Sequence, residues 1–368
     1  MKPSAKDLFF MERALELARR GAGRVHPNPM VGAVVVKGGR IIAEGAHLEF
    51  GGPHAEAHAL RRAGAAARGA TLYVTLEPCP HTGKTPPCTD LLIEKKIREV
   101  VVAASDPNPI VSGKGLRRLK RAGVRVRAGV MAAEASRMNR AYERRIKTGM
   151  PYAVVKVAQS VDGKIATRSG RSRWISGEPS RDFVHRLRAA SDAVLVGVNT
   201  VLRDDPRLSA RGAAAAGSPA VGRQPLKVVV DSALRTPPGS RLFSDGRTLI
   251  AVTPKADRSR FSRFKGKAEI LVLPGKKGRV DLSLLFRELA RRGVTQILVE
   301  GGGEVIADAF AGRLVQEAYF ITAPILIGGD RAPGSVRGAG VDDLRKAVRF
   351  RDWQAARLGD DLVWHGTI

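Results

Sequence analysis

The feature that most constrains the fold of this sequence is a repeated alternation between short apolar runs and stretches with apolar residues at helical spacing. Helical stretches at 7–20 and 91–96 alternate with strand-like runs at 31–36, 71–75 and 100–103. Such alternation usually builds a central sheet covered by helices on both faces. The chain is therefore predicted to be an α/β protein.

The alternation is interrupted once, after a charged helical stretch at 134–147. The next residues are Thr148-Gly149-Met150-Pro151, and glycine and proline end a helix. A new alternation starts with a strand at 152–158, and 368 residues suit about two domains. We predict one domain over residues 1–148 and a second over residues 149–368.

The second domain is predicted to repeat the same α/β alternation. A helix at 282–292 has Asp281 as its N-cap, and another helix lies at 180–190. Between Arg211 and Pro225 the residues are small and featureless, which predicts a mobile surface loop. Further strands are predicted at 193–198, 226–231, 249–253, 270–273, 296–299 and 318–321.

Composition narrows the classes of ligand. Lys and Arg number 63 against 35 Asp and Glu, a formal net charge of +28, so anionic ligands are expected. Only 5% of residues are aromatic and no nucleic-acid-binding module is present, which argues against specific nucleic-acid binding. No apolar run approaches the roughly 18 residues that span a bilayer, and the first residues resemble an amphipathic helix. We expect a cytoplasmic protein with no membrane partner.

The chain has two cysteines, and both are candidate metal ligands. Cys79 and Cys88 each follow a proline, and His54 and Glu56 precede them at the start of a predicted helix. Thiolates near helix N-termini have a lowered pKa and bind metals well. Three protein ligands, His54, Cys79 and Cys88, would leave the fourth position of a tetrahedral zinc open for water. Glu56 would then carry protons, as in the zinc deaminases of bases and nucleotides.

Each part of this pattern also has a structural interpretation. His-x-Glu is common on solvated helices, and two cysteines alone can be small buried hydrophobic residues. The cysteine spacing also departs from the Cys-x-x-Cys of these deaminases, and His81, between the cysteines, is an alternative ligand. A basic, nucleic-acid-associated base deaminase is the competing functional hypothesis, but it leaves the second half unexplained.

Longer segments of the chain resemble a known family. In the first half these are HPNPMVGAVVV, GGPHAEAHAL, TLEPCPHTGKTPPCTDLL and DPNPIVSGKG. In the second half they are KVAQSVDGKIA, RWIS, SDAVLVGVNTVLRDDPRLSAR, VVVDS and VEGGGEV. Over nearly its full length the sequence resembles the bifunctional riboflavin-biosynthesis deaminase/reductases, in which the longer cysteine spacing is the rule.

The resemblance implies a fold and two activities. It implies an N-terminal cytidine-deaminase-like α/β/α domain of three layers and a C-terminal dihydrofolate-reductase-like α/β domain. The first would use zinc to deaminate 2,5-diamino-6-(5-phosphoribosylamino)pyrimidin-4-one. The second would use NADPH to reduce the ribosyl group of the product to ribityl. A dimer through the reductase domain would also fit the family.

The resemblance also implies roles for individual residues. His54, Cys79 and Cys88 match the zinc ligands, and Glu56 matches the proton shuttle. The deaminase substrate positions are Asn28, His47, Lys84, Asp106 and Asn108. The NADPH-contacting positions are Ala158, Trp174, Thr200, Asp204, Ser232, Gly302, Gly303 and Glu304. The reductase substrate positions are Ser172, Arg188, Leu208, Arg211 and Glu300.

The residues of the second half support part of this assignment. Gly301-Gly302-Gly303 follows a predicted strand and opens a helical pattern, and such a turn lets backbone approach a phosphate. It is not the G-x-G-x-x-G fingerprint, because position 306 is Ile, so no Rossmann domain is predicted. Arg188 and Arg211 suit a grip on the substrate phosphate, and Glu300 suits ribose hydroxyls. No catalytic acid is identified in this half.

Overall fold

The computed structural model describes residues 3–211 and 224–368. It divides into two compact units, Met1–Gly149 and Met150–Ile368. The domain boundary predicted after residue 148 stays a prediction. Nearly all of the predicted surface loop between Arg211 and Pro225, residues 212–223, lies outside the described residues.

The first unit is built on a five-stranded sheet. Its strand order is β2-β1-β3-β4-β5, with β1 antiparallel to both of its neighbours and β3, β4 and β5 mutually parallel. The strands are β1 Gly32–Lys37, β2 Arg40–Ala46, β3 Thr71–Leu76, β4 Glu99–Ala104 and β5 Arg125–Ala128.

Helices cover both faces of this sheet. Alternate strand residues point to opposite faces, so Val35 and Val74 join one buried cluster while Val34 and Tyr73 join the other. The first cluster packs against α2, α3 and α4, and the second against α1 and α5. This confirms the predicted three-layer α/β/α arrangement. The helices are α1 Ala5–Arg19, α2 Ala55–Ala63, α3 Cys88–Glu94, α4 Lys114–Arg121, α5 Ala132–Met138 and α6 Arg140–Thr148.

The second unit contains a nine-stranded sheet of order β10-β9-β8-β7-β13-β6-β14-β16-β15. In this order the strands from β10 to β14 run parallel to one another. Strand β16 is antiparallel to β14, and β15 is antiparallel to β16. A separate antiparallel pair is formed by β11 and β12. Among the described residues of this unit the strands are β6 Tyr152–Ser160, β7 Ala193–Gly197, β8 Leu226–Val230, β9 Thr248–Val252, β10 Glu269–Val272, β11 Gly275–Lys276, β12 Arg279–Val280, β13 Gln296–Gly301, β14 Val315–Ala323, β15 Arg351–Leu358 and β16 Asp361–Thr367.

The parallel arrangement places the carboxyl ends of the central strands at one edge. Asp281 caps the helix at 282–291 as predicted, because its side chain accepts hydrogen bonds from the backbone N–H groups of Ser283 and Leu284. In the part of this unit that the structure describes, the α-helices are α7 Glu178–Ala189, α8 Val198–Asp204, α9 Leu282–Arg291 and α10 Gly303–Ala311. No helix among the described residues is both long enough and apolar enough to cross a membrane.

Candidate active sites

A cluster of nitrogen and sulfur donors lies where α2 and α3 begin in the first unit. His54 immediately precedes α2, and Cys88 is the first residue of α3. His54 Nδ1 lies 3.2 Å from Cys88 Sγ and 3.6 Å from Cys79 Sγ. The three donor atoms all lie within 4.8 Å of one another.

These donors fit zinc. Ligand atoms of a tetrahedral zinc at ordinary bond lengths lie about 3.5–3.8 Å apart, close to the spacing seen here. Cys88 holds the pKa of the Cys79 thiol below its usual range by donating hydrogen bonds from its side chain and its backbone N–H, and His54 acts in the same direction. The thiolate form is the one that binds metal. His81, the alternative ligand, is not among the clustered donors.

Glu56 lies beside this cluster in the first turn of α2 and is buried. Burial raises the pKa of its carboxyl, and the Cys88 side chain lies within hydrogen-bond reach of it. The structure thus places a carboxyl group next to the donors without making it one of them.

His47 and Asn28 border the same cluster. The buried His47 ring meets the His54 ring edge to face, with centroids 5.4 Å apart. Its Nδ1 lies 3.0 Å from the Pro53 carbonyl oxygen, and its Nε2 lies 3.2 Å from Asn28 Nδ2. Burial lowers the pKa of His47, which favours a neutral ring. Both contacts are satisfied if Nδ1 donates to Pro53 and Nε2 accepts from Asn28.

Lys84 is an exposed cation near the cluster. Its Nζ lies 3.9 Å from the centre of the Phe50 ring, and its side chain passes close to Gly51. Residues 51 to 54 are the segment GGPH that leads into α2. The ammonium group therefore lies beside the first residues of the segment that ends in His54.

Asp106 and Asn108 lie on the loop that follows β4. Asp106 is buried and accepts hydrogen bonds of 2.9 Å from both the Tyr142 hydroxyl and the Asn108 backbone N–H. Burial raises the pKa of Asp106, and the nearby charges of Glu77 and Cys79 raise it further. Asn108 uses its side-chain oxygen to accept from Ile110 N–H, 3.1 Å away. The loop is thus held by hydrogen bonds among its own residues and by Tyr142 of α6.

Glu77 is a residue of this site that the sequence analysis did not single out. Its buried carboxylate accepts backbone N–H groups of Asp106, Gly113, Gly115 and Leu116, at 3.4, 2.9, 3.0 and 3.3 Å. It therefore joins the chain just before Cys79 to the loop that carries Asp106 and Asn108. The only sequence signal was an acidic residue directly after an apolar strand, within the quoted motif TLEPC.

The second unit contains a buried ionic network centred on Glu300 of β13. Arg188 donates from Nε to Glu300 Oε1 at 2.5 Å and from Nη2 to Oε2 at 2.8 Å, and Lys156 Nζ lies 3.0 Å from Oε2. Burial alone would raise the pKa of Glu300, but the charges and hydrogen bonds of Arg188 and Lys156 outweigh it and lower the pKa to about 2. Glu300 therefore stays ionised at neutral pH.

This pairing bears on the role expected for Arg188 and adds a residue, Lys156, to the site. The Arg188 guanidinium, proposed for the substrate phosphate, is engaged by Glu300 and by the Ser209 carbonyl at 3.2 Å. Lys156 was part of the quoted motif KVAQSVDGKIA but received no role. The sequence signal that could have identified it was a lysine within the run YAVVKVA.

A cavity of about 630 Å³ opens beside Glu300 and is lined by the predicted substrate-binding residues. It is strongly cationic, because Arg207 and Arg241 join Arg211 in its wall. Burial lowers the pKa of Arg211, and the charges of Arg188, Arg207 and Arg241 lower it further, while the charge of Asp245 opposes them. The predicted residues that line it are Ser172, Arg188, Leu208, Arg211 and Glu300, together with Ala158, Trp174, Thr200, Asp204 and Gly302.

A second cavity, of about 270 Å³, shares part of this wall. Asp204 and Ser172 line both cavities, and Ser172 donates its hydroxyl to Asp204 Oδ1 at 2.7 Å. Gly302 has a φ of +78°, and a Cβ on Gly301 would lie 3.0 Å from Thr200 Oγ1, so the turn favours glycine. The predicted NADPH positions that line this cavity are Thr200, Asp204, Ser232, Gly302, Gly303 and Glu304.

Comparison with known proteins assigns both units. Residues 4–104 match the cytidine and deoxycytidylate deaminase zinc-binding region, and residues 151–364 match the RibD C-terminal domain. The riboflavin biosynthesis protein RibD of Escherichia coli is 41% identical over 367 residues, which cover 98% of this chain and 99% of that protein. The chain belongs to the RibD family.

Solved RibD-family structures have the same fold. Acinetobacter baumannii RibD superposes with a TM-score of 0.88 at 35% identity, covering 98% of each chain. The diaminohydroxyphosphoribosylaminopyrimidine deaminase/5-amino-6-(5-phosphoribosylamino)uracil reductase of Thermotoga maritima gives a TM-score of 0.85 at 34% identity, again covering 98% of each chain. The predicted family and fold class are therefore confirmed.

The structure brings most predicted site residues together within their own unit. His54, Cys79 and Cys88 form one cluster, and the reductase positions line two adjoining cavities. The individual roles assigned to these residues stay predictions. Glu77 and Lys156 are the additions made by the structure.

Proposed function

We propose that this chain is a bifunctional enzyme of riboflavin biosynthesis. Its first unit deaminates 2,5-diamino-6-(5-phosphoribosylamino)pyrimidin-4-one, and its second unit reduces the ribosyl group of the product to ribityl with NADPH. The observation that carries the proposal is that one RibD-family chain holds two sites of different chemistry. One is the His54, Cys79 and Cys88 cluster, and the other is the Glu300 network beside a glycine-lined cavity.

In the deaminase site the donor set fits zinc, and Glu56 is the proton carrier. Zinc held by His54, Cys79 and Cys88 would act as a Lewis acid and lower the pKa of water. Glu56 takes a proton from water and passes it to the 2-amino nitrogen. The water oxygen becomes the new carbonyl oxygen, the second water proton goes to the ring nitrogen next to C2, and the amino group leaves as ammonia. The burial of Glu56 supports this role, since bulk water does not compete for the proton.

The residues around the cluster of zinc donors position the substrate. The neutral His47 ring and Asn28 border it from one side, and the loop with Asp106 and Asn108 borders it from another. Lys84 is an exposed ammonium on a flexible stem, suited to a phosphate.

In the reductase site NADPH would supply a hydride to C1′ of the ribose. The bond from C1′ to the ribose ring oxygen breaks, and that oxygen takes a proton from solvent to become a hydroxyl group. The ionised Glu300 accepts hydrogen bonds from ribose hydroxyls, while Arg188 and Lys156 keep it charged. Because Arg188 is paired with Glu300, Arg211 is better placed than Arg188 to bind the substrate phosphate.

Two further expectations belong to this proposal. We propose that the enzyme is a dimer through its second unit, and light scattering that gives the mass of a monomer would contradict this. The cytoplasmic location stays a prediction. The alternative of a nucleic-acid-associated deaminase is not favoured, because the RibD C-terminal domain accounts for residues 151–364.

The proposed function is tested by mass spectrometry of the zinc-loaded chain incubated with the diaminopyrimidine ribosyl phosphate. Without NADPH we expect only the deaminated product, and with NADPH the deaminated and reduced product. Deamination without reduction would restrict the proposal to the first unit, and the absence of both products would overturn it.

A further inference from the structure

The segment Leu208-Ser209-Ala210-Arg211 brings two predicted substrate-binding residues, Leu208 and Arg211, to the wall of the cavity beside Glu300. Among the described residues, no hydrogen bond from backbone to backbone involves any of these four residues. Leu208 also has a φ of +57°, a conformation that residues other than glycine rarely adopt. The path of this segment therefore depends on the side chains that contact it.

Two of these side chains come from α7. Arg188 Nη1 donates a hydrogen bond to the Ser209 carbonyl oxygen at 3.2 Å, and His185 Nδ1 accepts one from the Arg211 backbone N–H, also at 3.2 Å. Both α7 residues also line the cavity, so they belong to the site itself. They hold the two residues on either side of Ala210.

Ala210 is held by Gln224, through both polar atoms of its side-chain amide. Gln224 Oε1 accepts the Ala210 backbone N–H at 2.9 Å, and Gln224 Nε2 donates to the Ala210 carbonyl oxygen at 3.0 Å. Ala210 is buried, so its backbone groups have little access to water if the amide is removed. Gln224 is not part of the cavity wall. It therefore acts on the cavity only through the segment that it holds.

The charges around Arg211 do not direct its side chain into the cavity. The guanidinium groups of Arg188, Arg207 and Arg241, all in the cavity wall, repel that of Arg211. The carboxylate of Asp245, which is not part of this wall, attracts it. Before an anion binds, the direction of Arg211 is therefore set by where its backbone is held.

We propose that Gln224 is a positioning residue of the reductase, which holds the backbone next to Arg211 so that its guanidinium meets the substrate phosphate. The inference rests on the proposed function, in which Arg211 binds that phosphate. A neutral amide suits this role because it offers an acceptor and a donor to one residue, whereas a carboxylate offers no donor. Gln224 thereby favours the phosphorylated substrate over the same compound without its phosphate.

The test uses the full-length chain with NADPH and compares two substrates, the deaminated ribosyl phosphate and its dephosphorylated counterpart. Gln224→Met keeps the length of the side chain and removes both hydrogen bonds to Ala210. We expect its KM for the phosphorylated substrate to rise by about tenfold, because two buried backbone groups lose their partners. The kcat, the KM for NADPH and the KM for the dephosphorylated substrate change by less than about threefold.

A double-mutant cycle shows whether the effect passes through Arg211. Arg211→Ala removes the contact with the phosphate, so Gln224 then has nothing left to position. Adding Gln224→Met to Arg211→Ala is expected to raise the KM for the phosphorylated substrate by less than about twofold more. A general weakening of the fold would instead add its full effect to that of Arg211→Ala.

Gln316 of β14 provides the matched control. Its Oε1 accepts the Ala153 backbone N–H at 2.9 Å, near the start of β6. Gln316→Met removes a hydrogen bond of the same kind outside the cavity wall, and it keeps the KM for the phosphorylated substrate within about twofold of the parent value. Unfolding temperatures close to that of the parent chain show that the variants are folded.

The outcomes separate this inference from the proposed function. If the parent chain does not reduce the deaminated ribosyl phosphate with NADPH, the proposed reductase function itself fails. If it does, three results would each overturn the role of Gln224. These are a folded Gln224→Met variant with the parent KM for the phosphorylated substrate, an equal rise in KM for both substrates, and fully additive losses in the double variant.

Discussion

At the scale of single residues, the donor cluster gives a prediction about zinc content. His54 contributes Nδ1 to the cluster, whereas His81 lies nearby in sequence without joining it. We expect His54→Ala to lose bound zinc and ammonia release together, because two thiolates alone hold zinc weakly. The matched variant His81→Ala keeps about one zinc per chain, measured by atomic absorption. Zinc lost from His81→Ala and kept in His54→Ala would reverse the assignment.

A second residue-scale prediction concerns Glu300. Its pKa in the folded chain is about 2, below the ordinary 4.5, because Arg188 and Lys156 outweigh its burial. A lowered pKa stabilises the folded state above the unfolded pKa. That stabilisation is lost as pH falls from about 4.5 toward 2, so thermal unfolding of the second unit should move to lower temperature in this window.

Glu300→Gln isolates that contribution. It leaves two cations in a buried site without a counter-charge, so we expect a loss of about 3–5 kcal/mol at pH 7 and a weaker dependence on pH below 4.5. The control is Glu269→Gln, which breaks the exposed pair with Arg292 and loses at most about 1 kcal/mol. Equal losses in the two variants would show that the buried network has no special role.

At the scale of elements, Glu77 connects β3 to the loop between β4 and α4. Its carboxylate accepts four backbone N–H groups, and an amide in its place would turn donors toward some of them. We expect Glu77→Gln to lower kcat/KM of deamination by at least about tenfold and to destabilise the first unit by about 2–3 kcal/mol, with zinc still bound.

Glu94→Gln is the control for this prediction, because Glu94 is an exposed residue of α3 whose pair with Lys95 contributes little. The prediction is tested by measuring three properties of the two variants. These are the stability of the first unit by calorimetry, the zinc content and the kinetics of deamination. Normal deamination by a stable Glu77→Gln variant would contradict a positioning role for Glu77.

Elements with apolar runs were predictable from the sequence, and those without such runs were not. Strands β3 and β4 are buried along their full length and were found close to their bounds. Strand β2 is only partly buried and has Glu44 and Gly45 within it, and β15 is exposed almost throughout, so neither contains a long apolar run. Their positions depend on pairing with neighbouring strands, which local periodicity does not record.

The helix predicted at 134–147 is instead two helices, α5 and α6. They meet at Asn139, whose side chain accepts from Met30 N–H and donates to the Met30 carbonyl, both at 2.9 Å. A contact between residues so far apart in sequence overrides helix propensity at the junction. No local pattern in the charged stretch indicates it.

At the scale of the whole molecule, the two sites differ in how far sequence predicts them. The zinc cluster was predictable because His54, Cys79 and Cys88 are residue types that commonly bind metals, and because they lie in short motifs of the sequence. The Glu300 network was only partly predictable, because Arg188 and Lys156 are ordinary residues until helix α7 and strand β6 bring them beside β13. Their pairing depends on strand order and on the packing of α7, which local sequence patterns do not record.

The central claim is that one chain carries two independent activities. The most direct measurement follows both half-reactions in Glu56→Ala and Glu300→Gln, each supplied with the starting pyrimidine and, separately, with deaminated substrate plus NADPH. We predict that Glu56→Ala releases no ammonia yet reduces deaminated substrate at the parent rate, and that Glu300→Gln releases ammonia normally but reduces at least about tenfold more slowly. Loss of both activities in a folded, zinc-loaded Glu56→Ala variant would contradict the claim.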